Sequence, residues 1–137
     1  MRSPPDSVMA FNILVVDDSK LVHSVIAKTL EMAEVPVKQL HFAENGEIGL
    51  EQLAEHPIDL VFSDLHMPVM NGMEMIERMQ ANEHLKSIPI IVISSEGSKT
   101  RLKHLKEEGV KAIIRKPFTP ESVRNVVFEV MGIKDEQ

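Results

Sequence analysis

Ile58-Asp59-Leu60-Val61-Phe62-Ser63-Asp64-Leu65-His66-Met67-Pro68 is the stretch that decides the fold. Ile58, Leu60, Val61 and Phe62 form a short apolar run of the kind a strand buried on both faces requires. The run ends in a carboxylate, Asp64, and Pro68 and then Asn71-Gly72 break regular structure soon after. In an open α/β sheet, ligands bind outside the carboxyl ends of the strands, so a carboxylate at that point is a candidate for chemistry. Taken alone, it is equally a residue that starts a turn.

The same pattern recurs to either side. Phe11 to Val16 reads as a buried strand that also ends in acid, Asp17-Asp18. Ser19 can cap the helix that follows, where Val22, Val25, Ile26, Thr29, Leu30 and Ala33 keep helical spacing to about Glu34, before Pro36. Val37 to Ala43 alternates loosely as a strand. Asn45-Gly46 would fit a hairpin, but Ile48, Leu50, Leu53 and Ala54 continue with helical spacing, so it reads as a strand-to-helix turn. Ile58 to Asp64 is the third strand. Asn71-Gly72 opens a helix with Met73, Ile76 and Met79 on one side, and the methionines between Met67 and Met79 are expected mainly in the core. Ile88 to Ile93 is a β-branched fourth strand ending at Ser94-Ser95. Lys99 to Glu108 is a helix with Leu102 and Leu105 inward and Gly109 as its stop. Ala112 to Ile114 is the fifth strand, ending at Arg115-Lys116-Pro117. Thr119 caps a last helix that has Pro120 in its first position and Val123, Val126, Val127, Val130 and Met131 inward, and that ends at Gly132.

Five β-then-α units with short connections imply parallel strands and right-handed crossovers. Strands apolar on both faces need helices on both sides. The expected fold is therefore α/β, a doubly wound three-layer sandwich around a five-stranded parallel sheet. The expected organisation is a loose leader over 1–10, one domain over 11–132 and a short tail over 133–137.

Composition narrows the function. A length of 137 residues with 43% hydrophobic content suits a single core. No apolar run approaches the ~18 residues of a membrane span, and the first ten residues lack the apolar stretch of a secretory signal. The absence of cysteine excludes disulfides and thiolate metal sites and fits a reducing compartment. A net charge of −6, with no Trp or Tyr and five Phe, argues against general nucleic-acid binding.

Strands one, three, four and five each finish in a polar residue: Asp17-Asp18, Asp64, Ser94 and Lys116. In a parallel sheet these ends share one edge, so residues distant in sequence converge. Two carboxylates at ~4 Å repel by about 4 kcal/mol at an effective dielectric near 20. Lys116 offsets one of the three charges, and a divalent cation offsets the other two. Oxygen ligands point to Mg²⁺, although protonation of one carboxylate would relieve the same repulsion.

With these residues assembled, the chain resembles the receiver domain of two-component response regulators, the CheY-like group. The matching residues are Val15-Val16-Asp17-Asp18-Ser19, Asp64-Leu65-His66-Met67-Pro68 followed by Asn71-Gly72, Ile93-Ser94-Ser95, and Lys116-Pro117-Phe118. They span Asn12 to Met131. The resemblance implies strand order 2-1-3-4-5, the order for which CheY is a standard example. It implies that Asp64 is a phosphoacceptor nucleophile, and that Asp17, Asp18, Asp64 and the backbone carbonyl of His66 hold Mg²⁺. It gives Ser94 and Lys116 the phosphoryl oxygens and makes the Lys116-Pro117 bond cis. It further implies a sensor histidine kinase or histidine phosphotransfer protein as donor, a downstream protein partner, no direct nucleic-acid or membrane partner, and a cytoplasmic monomer or phosphorylation-dependent dimer. Such a domain is not an enzyme beyond catalysing its own phosphorylation and slow dephosphorylation. No role falls to His23, His41, His56, His84 or His104.

One position departs from the family pattern. Ile113 stands where many receivers carry an aromatic residue three positions before the lysine. The expected switch is instead movement of the Ser94–Ser98 loop and the next helix. Charge is also uneven: the segment 99–116 is net +5, leaving −11 for the rest. That segment matches the face similar proteins use for output, and the expected partner presents acidic groups there. With only a few residues after Met131, the chain reads as a free-standing receiver or a piece of a longer regulator. A phosphatase of the haloacid dehalogenase type would want Asp-x-Asp-x-Thr after strand one. A nucleotide or flavin binder would want a glycine- or hydroxyl-rich loop there. Asp17-Asp18-Ser19 provides neither, and the intact acid set weighs against a scaffold without chemistry.

Overall fold

Strands and helices alternate along the chain: β1 (Phe11–Val16), α1 (Lys20–Met32), β2 (Val37–Ala43), α2 (Gly46–Glu55), β3 (Leu60–Ser63), α3 (Gly72–Gln80), β4 (Ile90–Ser94), α4 (Lys99–Glu107), β5 (Ala112–Arg115) and α5 (Pro120–Met131). The computed structural model describes residues 10–95 and 97–133. Apart from Ala10 and Ile133, the expected leader and tail lie outside the described residues, as does Glu96 of the 94–98 loop. The five strands form one sheet in the order β2-β1-β3-β4-β5, with every neighbouring pair parallel. This is the doubly wound flavodoxin-like α/β fold.

Alternation along the strands splits the core in two. Leu14, Val16, Val61, Ile90 and Val92 pack with α2, α3 and α4 through Leu53, Met75, Ile76, Met79 and Leu105. Ile13, Val15, Leu60, Phe62, Ile91 and Ile93 pack on the other side with α1 and α5 through Ile26, Leu30, Val123 and Val127. Arg124 of α5 also reaches α1, where its guanidinium donates to the Ala33 carbonyl at 2.9 Å and lies 4.3 Å over the Phe128 ring.

Several boundaries differ from the sequence expectation for identifiable reasons. β3 is shorter than the 58–64 run. Its ladder with β1 starts where Leu60 meets Ile13, while Ile58 packs in the core ahead of the strand. Asp64 is the first residue beyond β3. β4 starts at Ile90 because Pro89 has no N–H to give to a ladder and Ile88 is drawn back by a bond to the Leu85 carbonyl. In α1, Val25 is 44% exposed and does not join the buried stripe. Ala54 of α2 is likewise exposed, and Gly49 takes an inward position beside Val16 and Met75. In α3, Met75 is the fully buried methionine and Met73 is half-buried.

α1 stops at Met32, short of the expected Glu34, through a C-terminal motif. Glu34 N–H donates to Glu31 O at 3.0 Å, and Val35 N–H donates to Leu30 O at 3.1 Å. These are the paired bonds of a Schellman end, with Leu30 and Val35 both buried as its apolar contact. Its left-handed position is filled by Glu34, at φ 58°, where glycine is the usual occupant. Glu34→Gly is expected to raise stability by about 1 kcal/mol, since its carboxylate is largely exposed and only 3.6 Å from Arg124. Urea unfolding of the two proteins checks this.

Candidate functional site

The register of the central strands assembles the acidic site. Val16 pairs with Ser63, so Asp17 and Asp64 follow side by side where β1 and β3 end. Asp64 N–H continues the ladder to the Val16 carbonyl at 3.0 Å, and Asp17 N–H donates to the Ala43 carbonyl at 2.9 Å. Ser94 pairs with Arg115, and Lys116 N–H donates to the Ser94 carbonyl at 3.0 Å. All four strand ends therefore lie on one edge of the sheet. The Lys116–Pro117 bond is cis.

Asp17, Asp18 and Asp64 each bring a carboxylate oxygen into a group that lies within 4.8 Å of one another. Asp17 is 4% exposed, Asp18 exposed and Asp64 intermediate. Burial pushes the Asp17 carboxyl above the ordinary range, and the charges of Asp64 and Asp18 add to the rise. The Ser19 N–H, donating to its Oδ1 at 2.9 Å, and the Lys116 charge work the other way. The Asp64 Oδ1 accepts the N–H of Leu65 at 2.8 Å, and its other oxygen takes no hydrogen bond from the described residues. Three converging carboxylates with one ammonium nearby form an all-oxygen donor set with surplus negative charge. That is the chemistry of a hard divalent cation such as Mg²⁺.

Ser94 is buried at the end of β4. His66 is exposed two residues past Asp64, and its ring faces a groove beside α4. The loop between β3 and α3 is held firmly. Asn71 caps α3 through a bond to Glu74 N–H, and Gly72 N–H donates to the Leu65 carbonyl at 3.0 Å. A Cβ on Gly72 would run into the carbonyl oxygen of Asp64, so only glycine lets α3 start this close to the site. Between them, Val69 sits at φ 66°, inside a three-residue turn closed by Met70 N–H to Pro68 O at 2.7 Å. A β-branched residue in that region costs about 1–2 kcal/mol. The buried Met70 side chain and its carbonyl, which accepts Gly46 N–H at 2.8 Å, hold the turn in place.

Sequence reasoning missed His23. Its Nε2 lies 2.7 Å from the Asp17 carbonyl oxygen and 3.2 Å from that of Ala43, so Nε2 carries the hydrogen and donates. The ring stacks on Phe42 at 4.9 Å and ties the end of β1 to the end of β2, directly behind Asp17. The signal was helical spacing: positions 23, 26 and 30 share the buried face of α1.

A family model described as response regulator receiver domain matches residues 13–128. Chemotaxis protein CheY1 of Helicobacter pylori strain J99 is 34% identical over 90% of this chain and 98% of its own length. Two-component response regulator ORR5 of Oryza sativa subsp. japonica is 31% identical over 88% of each. The solved structure of Vibrio cholerae chemotaxis protein CheY4 superposes with a TM-score of 0.78 at 27% identity, covering 88% of this chain and 98% of that one.

The raised Asp17 pKa fixes the sign of one prediction. A carboxyl that binds its proton more tightly folded than unfolded lowers stability as pH rises from its unfolded value of 3.8 through its higher folded value. Its charge therefore opposes folding at neutral pH. With divalent ions chelated, Asp17→Asn is expected to gain about 1 kcal/mol at pH 7 and to lose the gain in acid, as read by urea unfolding across pH. Added Mg²⁺ should stabilise the natural chain and leave the variant largely unmoved.

Proposed function

The chain belongs to the response regulator receiver domain family of two-component signalling proteins, and on that premise we propose that Asp64 accepts a phosphoryl group from a phosphohistidine in a Mg²⁺-dependent reaction. The observation that carries this reading is the convergence of Asp17, Asp18 and Asp64 at the carboxyl edge of the sheet. Phosphoryl transfer asks a protein mainly for position and charge neutralisation. Leu65 N–H fixes one oxygen of Asp64, which leaves the other to attack phosphorus. The new O–P bond forms as the P–N bond to the donor imidazole breaks, and the imidazole leaves with the electron pair. The product is an acyl phosphate on Asp64.

The residues that would hold the metal are Asp17, Asp18 and Asp64 through their carboxylates and His66 through its backbone carbonyl. The chemistry such an ion supplies is neutralisation of the acid group and of the phosphoryl oxygens. Lys116 pairs its ammonium with a phosphoryl oxygen, and the Ser94 hydroxyl donates to another. His23 keeps the Asp17 backbone in place from behind. The donor is a sensor histidine kinase or a histidine phosphotransfer protein. The output is docking of a downstream protein on the face formed by α4, β5 and α5, whose basic residues favour an acidic partner.

Incubation with Mg²⁺ and acetyl phosphate, followed by intact mass, tests the reaction. The natural chain should gain one phosphoryl mass, and neither Asp64→Ala nor a chelated sample should gain any. The output face has its own test. Lys103 and Lys106 are exposed on α4, and reversing both to Glu should weaken affinity for the downstream partner about tenfold at low salt, with a smaller effect at high salt.

A further inference from the structure

A groove of about 430 Å³ opens between the β3–α3 loop and α4. Leu65 and Leu105, both buried, give it an apolar base, and half-buried Met73 of α3 extends it. Its ionisable lining is His66, Arg101 and His104, all exposed, and no carboxylate lines it. The charge around it follows suit. α4 carries Lys99, Arg101, Lys103 and Lys106 against Glu107 alone, in a chain that is net −6. An apolar slot with a basic rim is complementary to an apolar side chain flanked by carboxylates.

This groove is not the output face proposed above. At 100° per residue, Arg101, His104 and Leu105 share one side of α4, and Lys103 and Lys106 lie toward the other. It is joined to the acidic site through its base, because the N–H of Leu65 is the donor to Asp64 Oδ1 at 2.8 Å. Its other wall, α4, begins a few residues after Ser94.

We propose that the α3–α4 groove is a second docking slot, which takes an acidic segment of a partner protein and buries one apolar anchor side chain against Leu65, Met73 and Leu105. Occupancy of the slot and the chemical state of Asp64 are coupled. A change of charge on that carboxylate acts on the amide that carries Leu65, and by linkage a bound segment acts back on Asp64 with equal free energy. This coupling rests on the receiver reading, whereas the docking rests on the shape and charge of the groove.

The test uses the full chain panned against displayed heptapeptides with Asp or Glu at the two outer positions on each side and any residue at the three central ones. Selected peptides are synthesised, and their binding is followed by fluorescence anisotropy. The expected winners carry Leu, Ile, Met or Phe at the centre. Met73→Glu and Arg101→Glu, each checked for folding by circular dichroism, should weaken them at least tenfold. The double reversal of Lys103 and Lys106 should weaken them less than threefold. Acetyl phosphate with Mg²⁺ should shift the affinity at least threefold in the natural chain and not in Asp64→Ala. Winners without an apolar centre, or binding indifferent to Met73→Glu and Arg101→Glu, would overturn the slot. So would a dimer of this chain that Met73→Glu dissolves in sedimentation, since the occupant would then be a second copy. Peptide binding with the expected variant pattern, but no phosphoryl mass gain on the natural chain, would uphold the slot and sink the receiver reading.

Discussion

The pairing of Val16 with Ser63 in the β1–β3 ladder is the constraint on which the rest depends. Parallel strands in that register deliver the next residue of each, Asp17 and Asp64, to the same edge with their backbones bonded to the neighbouring strands. Neither carboxylate can retreat from the other without breaking a ladder bond. The repulsion is therefore built into the fold, and the raised Asp17 pKa is its signature. A site that stores negative charge in this way is ready for a cation and, through it, for a phosphoryl group.

The surroundings hold that arrangement with little slack. His23 anchors the Asp17 carbonyl from α1, and Asn71 and Gly72 bring the start of α3 against Asp64. The turn at Val69 keeps an unfavourable backbone conformation because Met70 is fixed on both sides, by the core and by Gly46. A strained residue of this kind survives where neighbouring contacts over-determine it, and such places cluster at functional sites. The two cores act as a rigid frame for the site. Each strand feeds alternate side chains to opposite helical layers, so no strand can slip by one residue without turning both layers inside out.

Much of the fold was legible in the residues because its signals are local. Apolar runs of four to six residues, each followed by helical spacing and a Ser, Asn or Thr cap, define βα units without any knowledge of contacts. Ser19, Asn45, Asn71, Ser98 and Thr119 all cap helices through their side chains. The edges of elements were less legible, because a strand lasts only as long as its partner does. Ile58 and Ile88 look like strand residues, but the ladders begin later. The Schellman end at Glu34 uses a residue that carries no glycine signal. Faces were misassigned at Val25, Met73 and Ala54, where helical spacing leaves a choice that only the orientation of the helix on the sheet resolves.

The sequence alone determined the βα alternation, the polar residue at the end of each central strand, and the charge imbalance that sets the basic segment around α4 apart from an acidic remainder. These are properties of residue type and spacing, and they need no third dimension. The tertiary structure alone decided that three carboxylates lie within 4.8 Å of one another, that the ring of His23 closes on the backbone of Asp17, and that a basic-rimmed groove separates α3 from α4. Each of these depends on segments far apart in the chain being set at a fixed distance and angle. Those distances and angles come from the register of the sheet and the packing of the helices upon it, which no local pattern encodes.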